Sequence, residues 1–183
     1  MQAASRKAVA SVTIRPDPSP AKSKKPPARV TLRCDWELPS AISREVIVLF
    51  ERFASELGRA PYDIAWDRVF ALERAGVMRL WTARTIDGGV LVGCIVCVWG
   101  TGLFTSAPYT RIEAGYLTPE WRGGLLGFRF IKSAVVAIEA LNGGKIEWET
   151  NDHFEPDAHG RSRLAALLER LGFEQVGTTM RQR

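Results

Sequence analysis

Residues able to do chemistry gather at a few places in this chain, and the densest is YLTPEWRGGLLGFRF, from Tyr116 to Phe130. There an apolar, strand-like run meets a proline, an arginine and two glycines before a helix begins. Such an order of elements builds an anion-binding nest. Backbone N–H groups at the start of a helix converge, the helix dipole favours negative charge there, and glycine admits a ligand close to the main chain. The segment reads as a pyrophosphate cradle. Arg122 can pair with a phosphate through its forked donors, and Gly123 and Gly124 are best explained by close backbone approach, since glycine is costly inside a helix. Neither standard nucleotide motif fits: a P-loop ends in Gly-Lys-Ser/Thr, and a dinucleotide turn needs G-x-G-x-x-G with an acid about 20 residues on.

Two other clusters carry less. Asn151 to His159, NDHFEPDAH, holds both histidines and three acids, so its composition admits a divalent ion, but it has no fixed ligand spacing and reads as a loop before the last helix. Cys94 and Cys97 form a C-x-x-C inside VLVGCIVCVW, a buried strand on which residues three apart face opposite sides. They are expected to be core residues. No metal site is expected, and three cysteines do not make an even disulfide framework.

The formal charge of +5 is unevenly placed. Residues 1–29 hold seven basic residues and one acid, leaving 18 basic and 19 acidic residues in the remainder. That leader also carries five of the ten prolines and no Phe, Leu, Trp or Tyr. It cannot bury enough apolar surface to offset its ordering entropy, so residues 1–29 are expected to be a disordered basic arm and residues 30–183 the folded domain. Such an arm could meet nucleic acid, an acidic protein or another subunit. It lacks the apolar core of a signal peptide, and no later stretch reaches the ~20 apolar residues of a membrane span. A cytoplasmic location without a membrane partner is expected.

The elements that must position the cradle alternate along the chain. VTLRCDWEL reads as a first strand. Ser40 is expected to cap a helix whose apolar face is Ile42, Val46, Leu49, Phe50, Phe53 and Leu57, stopped by Gly58. Pro61 is expected to open a second helix with Ala65, Trp66, Val69 and Phe70 inward, ending at Gly76. Two strands follow around the Asp87-Gly88-Gly89 turn, then a strand from Tyr109 to Leu117, the cradle, a helix to about Leu141, the strand KIEWET, a helix from Arg161 to Leu171 and a last strand. The class is α/β, in the order β-α-α-β-β-β-α-β-α-β, with a mixed, largely antiparallel sheet covered by helices on both faces.

The cradle resembles the acetyl-CoA loop of the GCN5-related N-acetyltransferase superfamily, Arg/Gln-x-x-Gly-x-Gly/Ala opening a helix after a strand. Arg122 and Gly127 occupy its first and last positions, and Leu125 replaces its middle glycine. LLERLGFEQVG is similar to the family's last helix, Leu-Gly-Phe turn and following strand, and RLWTART with VLVGCIVCVWG to its second and third strands. Residues 36–183 are similar to small acetyltransferase-like proteins of bacteriophages and prophages. The resemblance implies that acetyl-CoA is the cofactor, held by Leu117, Arg122, Gly123, Gly124, Leu125, Leu126 and Gly127, with Asn151 touching its pantetheine arm. It also implies that an acetyl group passes to a primary amine of an unidentified protein or small molecule.

That transfer needs a neutral amine, hence a base, together with donors for the developing oxyanion and a proton for the departing thiolate. In the family the fourth strand supplies a main-chain N–H for the thioester carbonyl, and Leu117 is the matching position. Glu113 is the expected base, four residues earlier and on the same face of an extended strand; Glu147 and Glu149 are alternatives. Where the family often has a proton-donating tyrosine this chain has Leu168, so Tyr116, Tyr109 or solvent must serve. The same departure leaves open a catalytically weak or inactive domain that joins an assembly, such as a phage particle, through its arm. Self-association into a homo-oligomer is also left open.

Overall fold

The computed structural model of the 183-residue chain describes residues 31–102, 106–122, 124–142, 144–148 and 163–174. Among them the order is β1 (Leu32–Glu37), α1 (Pro39–Glu56), α2 (Trp66–Arg74), β2 (Met78–Thr85), β3 (Leu91–Thr101), β4 (Pro108–Leu117), α3 (Pro119–Arg122), α4 (Gly124–Asn142), β5 (Lys145–Trp148) and α5 (Arg163–Arg170). The strands form a five-stranded sheet in the order β1-β2-β3-β4-β5, antiparallel except for β4 with β5. The expected class is therefore observed, with one short helix added. The basic arm, the NDHFEPDAH segment and the last strand lie outside the described residues.

Two cores flank the sheet. On one face Trp81, Ala83, Ile95, Cys97, Ile112 and Leu117 pack against Phe130, Ala134 and Ile138 of α4. On the other, Met78, Leu80, Cys94 and Tyr116 pack against Ile42, Val46 and Leu49 of α1, with Trp66, Val69 and Leu72 of α2 at the margin. Cys94 and Cys97 thus fall into opposite cores, as period-2 alternation requires, and burial pushes the Cys97 thiol up to about 12. Among the described residues, no helix is long and apolar enough to cross a membrane.

Several local expectations are corrected. Ser40 does not cap α1: the helix starts at Pro39 with Leu38 outside it, and Ser40 instead donates from its amide (2.7 Å) and its hydroxyl to Glu73 of α2. A proline in the first turn needs no donor there, so the serine is released to tie the two helices together. The second helix opens at Trp66, not Pro61, and its apolar side is only half-buried. Gly58 and Gly76 do end the helices, at φ 63° and 73°. On the α1 face Arg84 bonds both Glu37 (2.6 and 2.9 Å) and Glu45 (2.6 and 3.0 Å), fixing α1 to β1 and β2.

Candidate active site

β4 is the axis of the site. Its pairing with β3 shifts register between Val96 and Cys97: Cys97 faces Ile112, but Val96 faces Ala114, so Glu113 is the extra residue of a bulge. Counting along an ideal strand puts Glu113 on the face of Leu117. The bulge removes that relation, and it is Ile112 that shares the α4-side core with Leu117. Glu113 is half exposed at 49% and pairs with Arg111 Nε at 3.9 Å.

Beyond the bulge, the main chain of β4 becomes the feature of interest. The Thr118 amide donates to Val92 O at 2.9 Å. Antiparallel bonding alternates, so the N–H groups of Thr118 and Tyr116 face β3, while those of Gly115 and Leu117 point the other way. In that direction lies β5, which pairs with β4 only from Tyr109↔Lys145 to Ile112↔Trp148 among the described residues. Among the described residues β5 therefore pairs with one end of β4, and the N–H groups of Gly115 and Leu117 have no strand partner there. Gly115, which the sequence reading passed over, belongs to this edge with Leu117.

β4 ends at the expected cradle. Pro119 opens α3 and Trp121 N–H bonds Thr118 O at 2.9 Å, turning the chain so that α4 begins at Gly124 beside the end of β4. Leu125, in the place of a glycine, is turned to solvent at 58% exposure, while Leu126 is half-buried. Gly127 is required by the chain itself: a Cβ there would lie 2.6 Å from the Arg122 carbonyl oxygen. Gly123, Glu149 and Asn151 lie outside the described residues.

Arg122 is engaged within the protein. Nη1 and Nη2 both donate to Glu56 at the end of α1, the latter at 2.7 Å, Nε donates to Leu117 O, and the guanidinium lies 4.8 Å from the centre of the Tyr116 ring. This clasp ties α1 to the β4–α3 turn, reinforced by Arg52 with Glu120. Within the protein itself the guanidinium is paired with an internal carboxylate. Glu56 carried no signal in the sequence, because its partner is 66 positions away.

Tyr116 faces α1, 3% exposed, with its ring 4.8 Å from that of Phe53. Its hydroxyl donates to Glu56 at 3.2 Å, and burial first, then the Glu56 charge, pushes its pKa up to about 12. A hydroxyl so held is a weaker acid than free tyrosine and spends its proton on Glu56. Tyr116 is thus a member of the clasp, its hydroxyl protonated and bonded to Glu56. Leu168, where the family has that tyrosine, is buried at 4%.

At the far end of β4, about 30 Å away at the usual strand rise, a hollow of about 300 Å³ is lined by Gly102, Ala107, Pro108, Tyr109, Lys145 and Glu147. It lies well away from the cradle.

No family model matches the sequence, and no curated protein matches it. Solved structures do match its fold. An acetyltransferase of Trypanosoma brucei superposes with a TM-score of 0.61 at 15% identity, over 84% of this chain and 99% of that one. This chain has the GCN5-related N-acetyltransferase fold. A ribosomal-protein-alanine N-acetyltransferase from Brucella melitensis biovar Abortus 2308 superposes at 0.58 with 14% identity, over 84% and 99% of the two chains. A predicted acetyltransferase from Clostridium acetobutylicum, solved with acetyl-CoA, superposes at 0.59 with 14% identity, over 84% and 96%.

Proposed function

We propose that the chain is an acetyl-CoA-dependent N-acetyltransferase acting on a primary amine. The observation that carries this reading is the end of β4 past the bulge, where the Gly115 and Leu117 N–H groups face away from β3, have no strand partner among the described residues, and lead to the start of α4. An extended amide-bearing arm such as pantetheine satisfies those donors as a strand would, and a pyrophosphate suits the N-terminus of a 19-residue helix. Bound there, acetyl-CoA supplies the acetyl group as an activated thioester.

The chain's own residues divide the remaining work. Main-chain N–H groups of residues 123–127 take the phosphates, with Arg122 shaping the turn through Leu117 O and Glu56. The Leu117 N–H, or that of Gly115, holds the thioester carbonyl. Glu113, made prominent by the bulge and exposed to solvent, takes the proton of the incoming amine directly or through water, and Glu147 stands on the neighbouring strand as the alternative. Asn151 contacts the pantetheine arm. The departing thiolate is protonated by solvent.

The test is calorimetric titration of acetyl-CoA into the protein and into an Arg122→Ala, Gly124→Glu double variant. Micromolar binding that the variant loses supports the site, and no binding by the unmodified protein refutes it. With an acceptor in hand, Glu113→Gln is expected to lower kcat at least a hundredfold.

A second reading is favoured by buried Leu168 and by the occupation of Arg122 by Glu56: a domain of this fold that binds but does not catalyse, joining an assembly such as a phage particle through residues 1–29. Salt-sensitive partner binding lost on deleting that arm, in a protein that ignores acetyl-CoA, is its signature.

A further inference from the structure

β1 lies at the edge of the sheet. Among the described residues it has a strand on one side only, β2, and its six residues run without proline, glycine or a break in register. Which of its main-chain groups face outward follows from the pairing inside the sheet. Trp99 N–H bonds Val77 O at 2.9 Å, so the odd-numbered residues of β2 up to the shift at Ala83 face β3, while Leu80 and Thr82 face β1. Their partners Glu37 and Asp35 therefore face β2, and the Asp35 carbonyl also accepts from Thr82 Oγ1 at 3.2 Å. That leaves the N–H and C=O groups of Leu32, Cys34 and Trp36 on the outer edge. Trp36 N–H agrees, since it donates to the Asp35 carboxylate at 2.8 Å.

An edge of this kind is a template for another strand, and the side chains select which one. Leu32, Cys34 and Trp36 are half-buried against the α4-side core, and by alternation Arg33 and Asp35 stand exposed on the α1 side. Two copies of β1 laid antiparallel, outward groups against outward groups, have symmetric registers centred on Arg33, Cys34 or Asp35. The first sets arginine against arginine and the last aspartate against aspartate, and like charges directly opposite repel. Centred on Cys34, Arg33 of each copy lies opposite Asp35 of the other, twice over by symmetry, and Leu32 lies opposite Trp36. From this self-complementary pattern we propose that β1 pairs with β1 of a second copy about a two-fold axis at Cys34, joining the two sheets into one. On pairing, Asp35 releases Trp36 N–H to the Leu32 carbonyl of the other copy and turns to its Arg33. Leu32 and Trp36 then extend the α4-side core across the axis. None of this depends on the acyl-CoA reading.

The test is sedimentation equilibrium of the full chain over a wide range of concentrations, for the unmodified protein, Arg33→Asp, Asp35→Arg and the two exchanges combined, with thermal melts to establish folding. The unmodified protein is expected to dimerise reversibly. Each single exchange puts like charges into both symmetric pairs and is expected to weaken the dimer at least roughly tenfold. The combined exchange restores both attractions and is expected to recover the parental affinity, which a mere loss of strand propensity would not do. A protein that stays monomeric, single variants that associate like the parent, or a combined variant that does not recover each overturns the proposal. Hydrogen exchange followed by NMR needs no variant. The Leu32 and Cys34 amides are expected to gain protection as concentration rises, and protection that is the same at low and high concentration overturns the pairing.

Discussion

Replacing Gly127 by alanine tests how the cradle is built. Inside a helix the exchange normally stabilises by about 1 kcal/mol, because alanine loses less backbone freedom on folding. Here the new Cβ would sit 2.6 Å from the carbonyl oxygen of Arg122 and 3.3 Å from its carbonyl carbon. Both are main-chain atoms at the end of α3 and cannot swing aside as a side-chain tip would. Overpacking of this kind costs about 1–3 kcal/mol, and a clash with backbone belongs at the upper end. The clash outweighs the propensity gain by about 2 kcal/mol, which lowers the melting temperature by about 4–8 °C for a chain of this size. Thermal denaturation followed by circular dichroism reads that shift. Acetyl-CoA titration of the folded variant is expected to show at least a tenfold loss of affinity, because relief of the clash moves α3 and the start of α4 apart. A variant that melts at or above the parent temperature would refute the reasoning, since α3 would then not press on the first turn of α4.

Glu56→Gln removes the charge that anchors Arg122. Both side chains are partly exposed, so the cost is about 1 kcal/mol, read as a lower urea midpoint; an unchanged midpoint would mean that the clasp contributes nothing to stability. Arg84 donates hydrogen bonds to Glu37 and thereby holds its carboxyl below the usual value of 4.5. A lowered folded pKa gives stability that is complete above the ordinary glutamate range and is lost as pH falls through the folded pKa. Arg84→Met is therefore expected to flatten the acid limb of the stability–pH curve, and an identical limb in the variant would sink the assignment. Cys94 and Cys97 are buried in opposite cores, with their thiols pushed up chiefly by burial. In native protein at pH 8 an aromatic disulfide reagent should leave both unmodified, the two thiols titrating only in denaturant, whereas prompt reaction of all three cysteines would contradict the packing.

Much of this was legible because it depends on neighbours in the chain. The apolar spacing of Ile42, Val46 and Leu49 specifies the buried stripe of α1 whatever it packs against, and Gly58, Gly76 and Gly89 sit at positive φ where breakers were read. Cys94 and Cys97 fall on opposite faces by alternation alone. The segment from Leu117 to Gly127 likewise carries its own turn, proline and glycines, so the end of a strand and the start of a helix were readable there locally.

Other features depend on partners far away in sequence and emerged only in three dimensions. The bulge at Glu113 arises from how β3 and β4 register over their whole length, and it undoes a face assignment that rested on counting by two. Arg122 suits a phosphate by type and position; that a glutamate 66 residues earlier, brought in by the packing of α1 on the sheet, also pairs with it appears only in the folded chain. Tyr116 joins the same clasp for that reason. The contact of Trp148 with Gly115 has the same origin. A ring and a bare backbone meet there because β5 pairs alongside β4, and that geometry is a property of the assembled sheet. Periodicity and turn chemistry act over a few residues and so are written in the sequence. Register, ion-pair choice and the packing of a ring on a neighbouring strand are settled by which distant surfaces meet, and only the folded chain decides them.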